Sequence, residues 1–167
     1  MGYNPLSKEK ADEMARPPLI DDGQYQFELM EFHNTDKYHN KLVDSKGGEM
    51  TRIKIKIWDH HNKERFVFTN LYWSDENKMA YRTRHFAETI DMLPLYEGGS
   101  LYDEMSQCLG KTGYCEIYTQ KAKPKNDGTN EMWAPKNDVR DFIVADKVPE
   151  DAKTMKADPT LNDDLPF

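Results

Sequence analysis

The sequence has only two cysteines, Cys108 and Cys115, in 167 residues. Two thiols exclude a disulfide scaffold and a cysteine-built zinc site, and they point to a reducing, cytoplasmic compartment. Long apolar runs are missing too. No stretch approaches the roughly 18–20 residues that a membrane helix needs, so no membrane association is expected. Residues 1–18 lack the apolar core of a signal peptide, and Leu6 stands where a myristoylation pattern needs Ser or Thr. Apolar residues are scarce overall, at 37% of the chain, against roughly 45–50% in typical soluble domains. Charged residues make up 32%, and the mean hydropathy is -0.93. The core is therefore modest and the polar surface large. Net positive charge is absent as well: the chain carries -7 at pH 7. That balance counts against a simple basic nucleic-acid binder.

The ends differ from the middle. Residues 1–18 form a charged N-terminal extension, with a short helix expected over 7–15. Residues 147–167 hold Pro149, Pro159 and Pro166 and few large apolar side chains, and read as a flexible acidic tail. One domain is expected between them, over 19–146. It opens on a strand over 23–32, where Tyr25, Phe27 and Leu29 alternate with Gln24, Gln26 and Glu28. A polar connection over 33–48 follows and is long enough to suggest a function. The clearest strand spans 49–59, with Ile53, Ile55 and Ile57 on one face and Arg52, Lys54, Lys56 and Trp58 on the other. His60-His61-Asn62-Lys63 fits a hairpin turn. A third strand over 65–72 is rich in Phe and Val, and its alternation does not say which face is buried.

The period then changes. Ser74 is placed to cap a helix whose face is Met79, Thr83, Phe86, Ile90 and Leu93. Ser100 and Asp103 resemble a capping pair for a second, short helix stopped by Gly110. Strands follow over 112–120 and 137–145, separated by a loop rich in Lys and Asn over 121–135. Three strands, a helical segment and two more strands suggest a mainly β, five-stranded OB-type barrel with its helical segment between strands three and four. Such barrels bind oligonucleotides or oligosaccharides on the face of strands two and three and through flanking loops.

The outward face of the second strand puts three cations and an indole in one row. Phosphates need cations and unstacked bases need flat apolar surfaces, with stacking worth on the order of 1–3 kcal/mol per base. Alternating Lys and Ile is also how any half-exposed strand looks, but an exposed Trp is costly without a use. Tyr72 ends strand three, and Tyr118 points outward on strand four. Trp133 lies in a polar loop with Lys121, Lys123 and Lys125, and the loop after strand one adds Lys37, Tyr38, Lys41 and Lys46. Trp73, just before a helix, reads as a packing residue.

Signals for an enzyme are poor, and no cofactor is expected. Gly110-Lys111-Thr112 mimics the end of a phosphate-binding loop, but Met105 stands where the leading Gly belongs. A metal held by Asp59, His60 and His61 with His33 or His39 is not expected, because neighbouring histidines on a strand face opposite ways.

The chain ends Asp163-Asp164-Leu165-Pro166-Phe167. Phe167 can fill a pocket, its carboxylate can pair with Arg or Lys, and the aspartates steer toward a basic rim. This tip resembles the acidic, Pro-Phe-ending tip of bacterial single-stranded-DNA-binding proteins. The middle resembles the OB-fold single-stranded-DNA-binding proteins of bacterial viruses, through Gly23-Gln24-Tyr25, the Ile53/Ile55/Ile57 strand and Asn137-Asp138-Val139-Arg140. It differs from the bacterial type by the helical segment over 74–110 and the charged N-terminal extension, so the bacterial tetramer is not carried over, although a homo-oligomer remains compatible.

The resemblance implies a protein that coats and protects single-stranded DNA during viral replication and recombination in a bacterial cytoplasm. Its tip, residues Asp163, Asp164, Leu165, Pro166 and Phe167, would recruit replication, recombination and repair proteins. Arg52, Lys54, Lys56 and the loop lysines would neutralise phosphates, while Trp58, Trp133 and Tyr72 stack bases. The charge balance bears on this. From Val148 onward Glu150, Asp151, Asp158, Asp163 and Asp164 outweigh Lys153 and Lys156, which leaves -4 of the -7 elsewhere. Salt should then weaken DNA binding steeply. The alternative is a structural or scaffolding protein of a virus particle that uses the tail as a docking peptide.

Overall fold

Alternating apolar residues build the sheet. In the computed structural model the described residues are 2–16, 18–125, 128, 131–150 and 152–154. The long strands are β1 (Gly23–His33), β2 (Met50–Trp58), β3 (Glu64–Tyr72) and β4 (Thr112–Gln120), each within a residue or two of its expected span. A two-stranded hairpin, β5 (Lys123–Pro124) with β6 (Met132–Trp133), occupies what reads in sequence as a loop. It leads into β7 (Lys136–Ile143). The five long strands form one antiparallel sheet in the order β3-β2-β1-β4-β7. β1 is shared, pairing through its second half with β2 and through its first half with β4.

The inward residues make one core. Phe27 and Leu29 of β1, Ile53, Ile55 and Ile57 of β2, Ile117 of β4 and Val139 of β7 are all fully buried. Strand three, ambiguous in sequence, buries Val67, Thr69 and Leu71 and turns Phe66 and Phe68 outward. A helical segment lies between β3 and β4: α2 (Tyr81–Thr89), α3 (Leu93–Glu97) and a 3-10 turn over Tyr102–Cys108. α2 drives Phe86 onto the sheet, where it meets Phe142 edge-on at 5.1 Å and Phe27 at 6.2 Å. A glycine is required opposite that helix. A Cβ on Gly113 would lie 2.7 Å from Thr89 Cγ2 and 3.1 Å from Phe27 Cε1. Burial pushes the Cys108 thiol up to about 11 and raises the Cys115 thiol as well, so neither thiol is primed for thiolate chemistry.

Several expectations need correction. The sheet does not close into a barrel. β3 and β7 run parallel at its two edges, and the carbonyls a closing ladder would use are taken by a side chain from α2. Arg82 Nη1 donates to Val139 O at 2.6 Å, and Nη2 donates to Asn70 O at 3.1 Å. Ser74 does not cap α2, because its hydroxyl accepts the Glu76 N–H in a turn and the chain makes further turns before the helix starts after Ala80. Met79 therefore falls outside the buried face. Ser100 and Asp103 do not cap a helix either: the Ser100 hydroxyl donates to Leu95 O, and the 3-10 turn has no side-chain cap.

α1 (Lys8–Ala15) forms with Ser7 as its N-cap and buries no residue. The segment after β7 is held at its start. Lys153 N donates to Gln24 O at 2.8 Å, and Gln26 N donates to Lys153 O at 2.7 Å. Lys153 thus sits against β1 where β2 has turned away. Its ammonium donates to Asn62 Oδ1 at 2.9 Å. The tip, residues 163–167, lies outside the described residues. No helix among the described residues is long and apolar enough to cross a membrane.

Candidate nucleic-acid interface

Strand pairing decides what stands beside the cationic row. The β2–β3 register sets Lys54 opposite Phe68, Lys56 opposite Phe66, and Arg52 opposite Asn70. Cross-strand partners on one face lie about 4.5–5.5 Å apart at Cβ, so cations and aromatic rings interleave. Lys54 Nζ lies 4.6 Å from the Phe66 ring centroid and 5.8 Å from that of Phe68, and Lys56 Nζ lies 5.8 Å from that of Trp58. Phe66 is 44% exposed and Phe68 58%. Two Phe side chains this open cost apolar surface that folding does not recover. On the outer face of the sheet they present flat apolar surface beside the lysines.

Glu28 and Glu31 of β1 flank the row on its other side, and Glu64 of β3 closes on it from the same side as the rings. Glu31 Oε2 lies 3.1 Å from Lys54 Nζ, and Glu28 and Glu64 lie 3.6 Å and 3.9 Å from Lys56 Nζ. The hydrogen bond from Lys54, helped by His33, holds the Glu31 carboxyl below its ordinary value. Glu31 is the open partner, so solvent screens its pair with Lys54, whereas Lys56 is largely covered between Glu28 and Glu64. Arg52 is exposed and makes no ion pair among the described residues. The row ends at a rigid turn. Asp59 accepts from His61 N at 2.8 Å, Lys63 N at 3.0 Å and Arg65 Nη1 at 3.3 Å, and Asn62 takes a φ of 58°. Burial pushes the Asp59 carboxyl up, but the two N–H groups and the guanidinium outweigh it and hold it below the usual carboxylate range. Because the folded value is depressed, this cap is lost only as pH falls through that lowered value.

All but one of the ten side chains expected to bind nucleic acid fall into two groups. Arg52, Lys54, Lys56 and Trp58 share the β2–β3 face. Tyr72 lies at its far end, its hydroxyl 3.5 Å from Asn70 Nδ2 and its ring 6.0 Å from the Arg82 guanidinium. Lys121, Lys123, Lys125 and Trp133 gather on and beside the β5–β6 hairpin instead, and Tyr118 stands apart on β4, opposite Asp138 of β7. Gln120, Lys121, Lys123, Trp133 and Lys136 line a groove there of about 380 Å³. Trp133 is 62% exposed, with Lys125 Nζ 4.8 Å from its ring centroid and also 3.0 Å from Glu131 Oε2. Arg140 covers the Tyr118 ring at 4.5 Å. Trp73 packs against the core and donates to Thr51 Oγ1 at 2.9 Å.

Phe66 and Phe68 are what sequence reasoning missed. The run Phe66-Val67-Phe68 is apolar at successive positions, so alternation alone cannot orient it. Pairing it with the lysine strand would have found them. Among the described residues no group of three or more His, Cys, Asp or Glu side chains comes together to hold a metal ion. A scan of protein-family models and a search of curated proteins each gave no match to this chain.

Proposed function

We propose that the chain is a single-stranded-DNA-binding protein of the OB type, belonging to a bacterial virus, that holds the strand open on the outer face of β2 and β3. The observation that carries this reading is the interleaving of Lys54 and Lys56 with the exposed rings of Phe66 and Phe68 and the half-buried ring of Trp58. The strand order supports it, since β3-β2-β1-β4-β7 is the cyclic order of a five-stranded OB barrel opened between its third and fifth strands. In this reading Arg52, Lys54 and Lys56 take phosphates, and Phe66, Phe68 and Trp58 stack bases. The hairpin group around Trp133 extends the path. Stacking tolerates any base, so the binding is sequence-independent. The protein acts without catalysis, and the tip at Asp163–Phe167 brings replication and repair partners to the coated strand.

The test is a titration with fluorescent oligo-dT of about 35 nucleotides against the matching duplex, at low and moderate salt. Tight binding to the single strand alone, with quenched Trp fluorescence, is expected. Binding without single-strand preference that vanishes at moderate salt would overturn the reading and leave the particle scaffold. The ion pairs of Lys54 and Lys56 with β1 carboxylates fit that second reading, as a solvated sheet face. A further expectation concerns the tail, which leaves β1 beside the Trp58 end of the row. Deleting residues 163–167 should tighten oligo-dT binding at low salt, because five fewer residues of acidic peptide compete for the cations. Unchanged affinity would remove that competition.

A further inference from the structure

At the end of the sheet opposite the 59–63 turn, Glu49, Trp73, Arg84, Tyr96, Glu97 and Tyr102 line a cavity of about 480 Å³. Three of its lining side chains are aromatic rings set beside charged groups. Tyr102 stands edge-on to Trp73 at 84° with ring centroids 5.6 Å apart, and Tyr96 lies 6.4 Å from Trp73 at 33°. They are held by a polar chain reaching into the core. Trp73 Nε1 donates to Thr51 Oγ1 at 2.9 Å, the fully buried Thr51 hydroxyl donates to Asn34, and Asn34 Nδ2 donates to the Tyr102 carbonyl at 3.3 Å.

Carboxylates complete the cavity. Burial and then the charge of Glu49, which also hydrogen-bonds the phenol, raise the Tyr102 pKa, with Asp103 adding to it. One of the chain's own cations already uses part of this chemistry. Lys41 Nζ lies 5.9 Å from the Tyr102 ring centroid and 3.4 Å from Glu49 Oε2. Arg84 lies 3.4 Å from Glu97 but is held more closely by Glu88, at 3.0 Å. Among the residues lining the cavity, Glu49 and Glu97 outnumber the one cation, Arg84, while Lys41 reaches in from outside the lining.

We propose that this cavity binds the guanidinium or ammonium side chain of a basic peptide on a partner protein, through the Trp73, Tyr96 and Tyr102 rings and the Glu49 and Glu97 carboxylates. Aromatic rings flanked by carboxylates favour a cation. The acidic excess disfavours a phosphate-bearing ligand, so the cavity is distinct in chemistry from the β2–β3 face and does not rest on the nucleic-acid reading. The visiting cation takes the place of Lys41 on Tyr102 and Glu49, and exposed Glu97 and Asp103 meet neighbouring basic residues of the peptide.

The test uses the full chain, labelled with 15N, and follows the indole N–H resonances. Spectra of Trp58→Phe and Trp133→Phe variants assign the Trp73 signal by elimination. A capped tetra-arginine peptide is expected to shift that signal saturably and to bind more tightly than argininamide. Glu49→Gln should weaken the peptide about tenfold while leaving the thermal midpoint unchanged. Tyr96→Leu should weaken it comparably, which keeps the test open if one variant folds poorly. A silent Trp73 signal at millimolar peptide would overturn the proposal, as would equal affinity in Glu49→Gln. Argininamide binding as tightly as the peptide would overturn the peptide as the source. A shift caused by oligo-dT and not by the peptide would make the cavity a base pocket instead.

Discussion

Replacing Trp58 and Phe68 together with alanine is expected to weaken binding to oligo-dT by about a hundredfold or more, while the fold survives with a modest fall in thermal stability. The size follows from stacking. Each base-aromatic stack is worth on the order of 1–3 kcal/mol, and two platforms removed from one face sum to at least about 2–3 kcal/mol. The loss should be larger than for either single variant. Lys54, whose ammonium lies 5.8 Å from the Phe68 ring centroid, also loses part of the surface that fixes its direction. The stability cost should be small for Phe68, which is 58% exposed, and should come mainly from Trp58, which is half-buried on the outer face of β2. Fluorescence anisotropy gives the affinity, and a thermal melt gives the control. A loss of less than threefold with the fold intact would show that bases do not stack on this face. The search would then move to Trp133 and the β5–β6 hairpin, whose groove is lined by Lys121, Lys123 and Lys136.

The cationic row was legible because one strand states both of its faces. Ile53, Ile55 and Ile57 can go only inward, which forces Arg52, Lys54, Lys56 and Trp58 outward. β3 gave no such statement. Its sides carry Phe66 and Phe68 against Val67 and Leu71, apolar on both, and only the pairing register with β2 shows that the phenylalanines face solvent beside the lysines. The acids opposite the row were equally hidden. Glu28 reads as a polar position of β1, and nothing local says that Lys56 will lie 3.6 Å away. An irregularity in the β1–β2 register between Leu29 and Glu31 brings Glu31 opposite Lys54. The Ser74 cap failed for a different reason. Several residues between β3 and α2 can close turns, and Asn77 does so as well, accepting the Met79 N–H at 2.8 Å through its side chain. Local capping signals locate a turn of chain, but tertiary packing decides which turn begins the helix. The seam between β3 and β7 was the least visible feature, because Arg82 lies on a helix surface by spacing alone and its partners are backbone atoms of two distant strands.

Arg82→Met should cost roughly 2–4 kcal/mol of stability, because a buried carbonyl at Val139 and a part-buried one at Asn70 lose their donors and each unpaired buried group costs about 1–3 kcal/mol. For a chain of this size that corresponds to a fall in the thermal midpoint of about 5–15 °C. Methionine fills much the same space, so the loss isolates the hydrogen bonds from the packing. Arg82 is 5% exposed and holds Val139 O and Asn70 O together across the open edge of the sheet, while its Nε has no partner among the described residues. A buried guanidinium bonded mainly to carbonyls is an expensive way to join two strands, since its desolvation is not offset by a carboxylate. The arrangement is stable only if the seam has no better option, and here the option of a closing ladder is blocked by the guanidinium itself. Lysine should recover little, since a single ammonium cannot match the forked reach of two nitrogens to two strands. Hydrogen exchange gives the sharper reading. In Arg82→Met the amides of β3 and β7 should lose protection ahead of those of β1 and β2, because the edges separate first. Uniform loss of protection would mean that Arg82 stabilises the whole core and not the seam. An unchanged midpoint would mean that packing alone holds the edges together. The consequence reaches the candidate interface through β3, which carries Phe66 and Phe68 on one face and Asn70 at the seam. A strand loosened at Asn70 presents its rings less steadily, so oligo-dT affinity should fall by a few fold in Arg82→Met, far less than in the double platform variant.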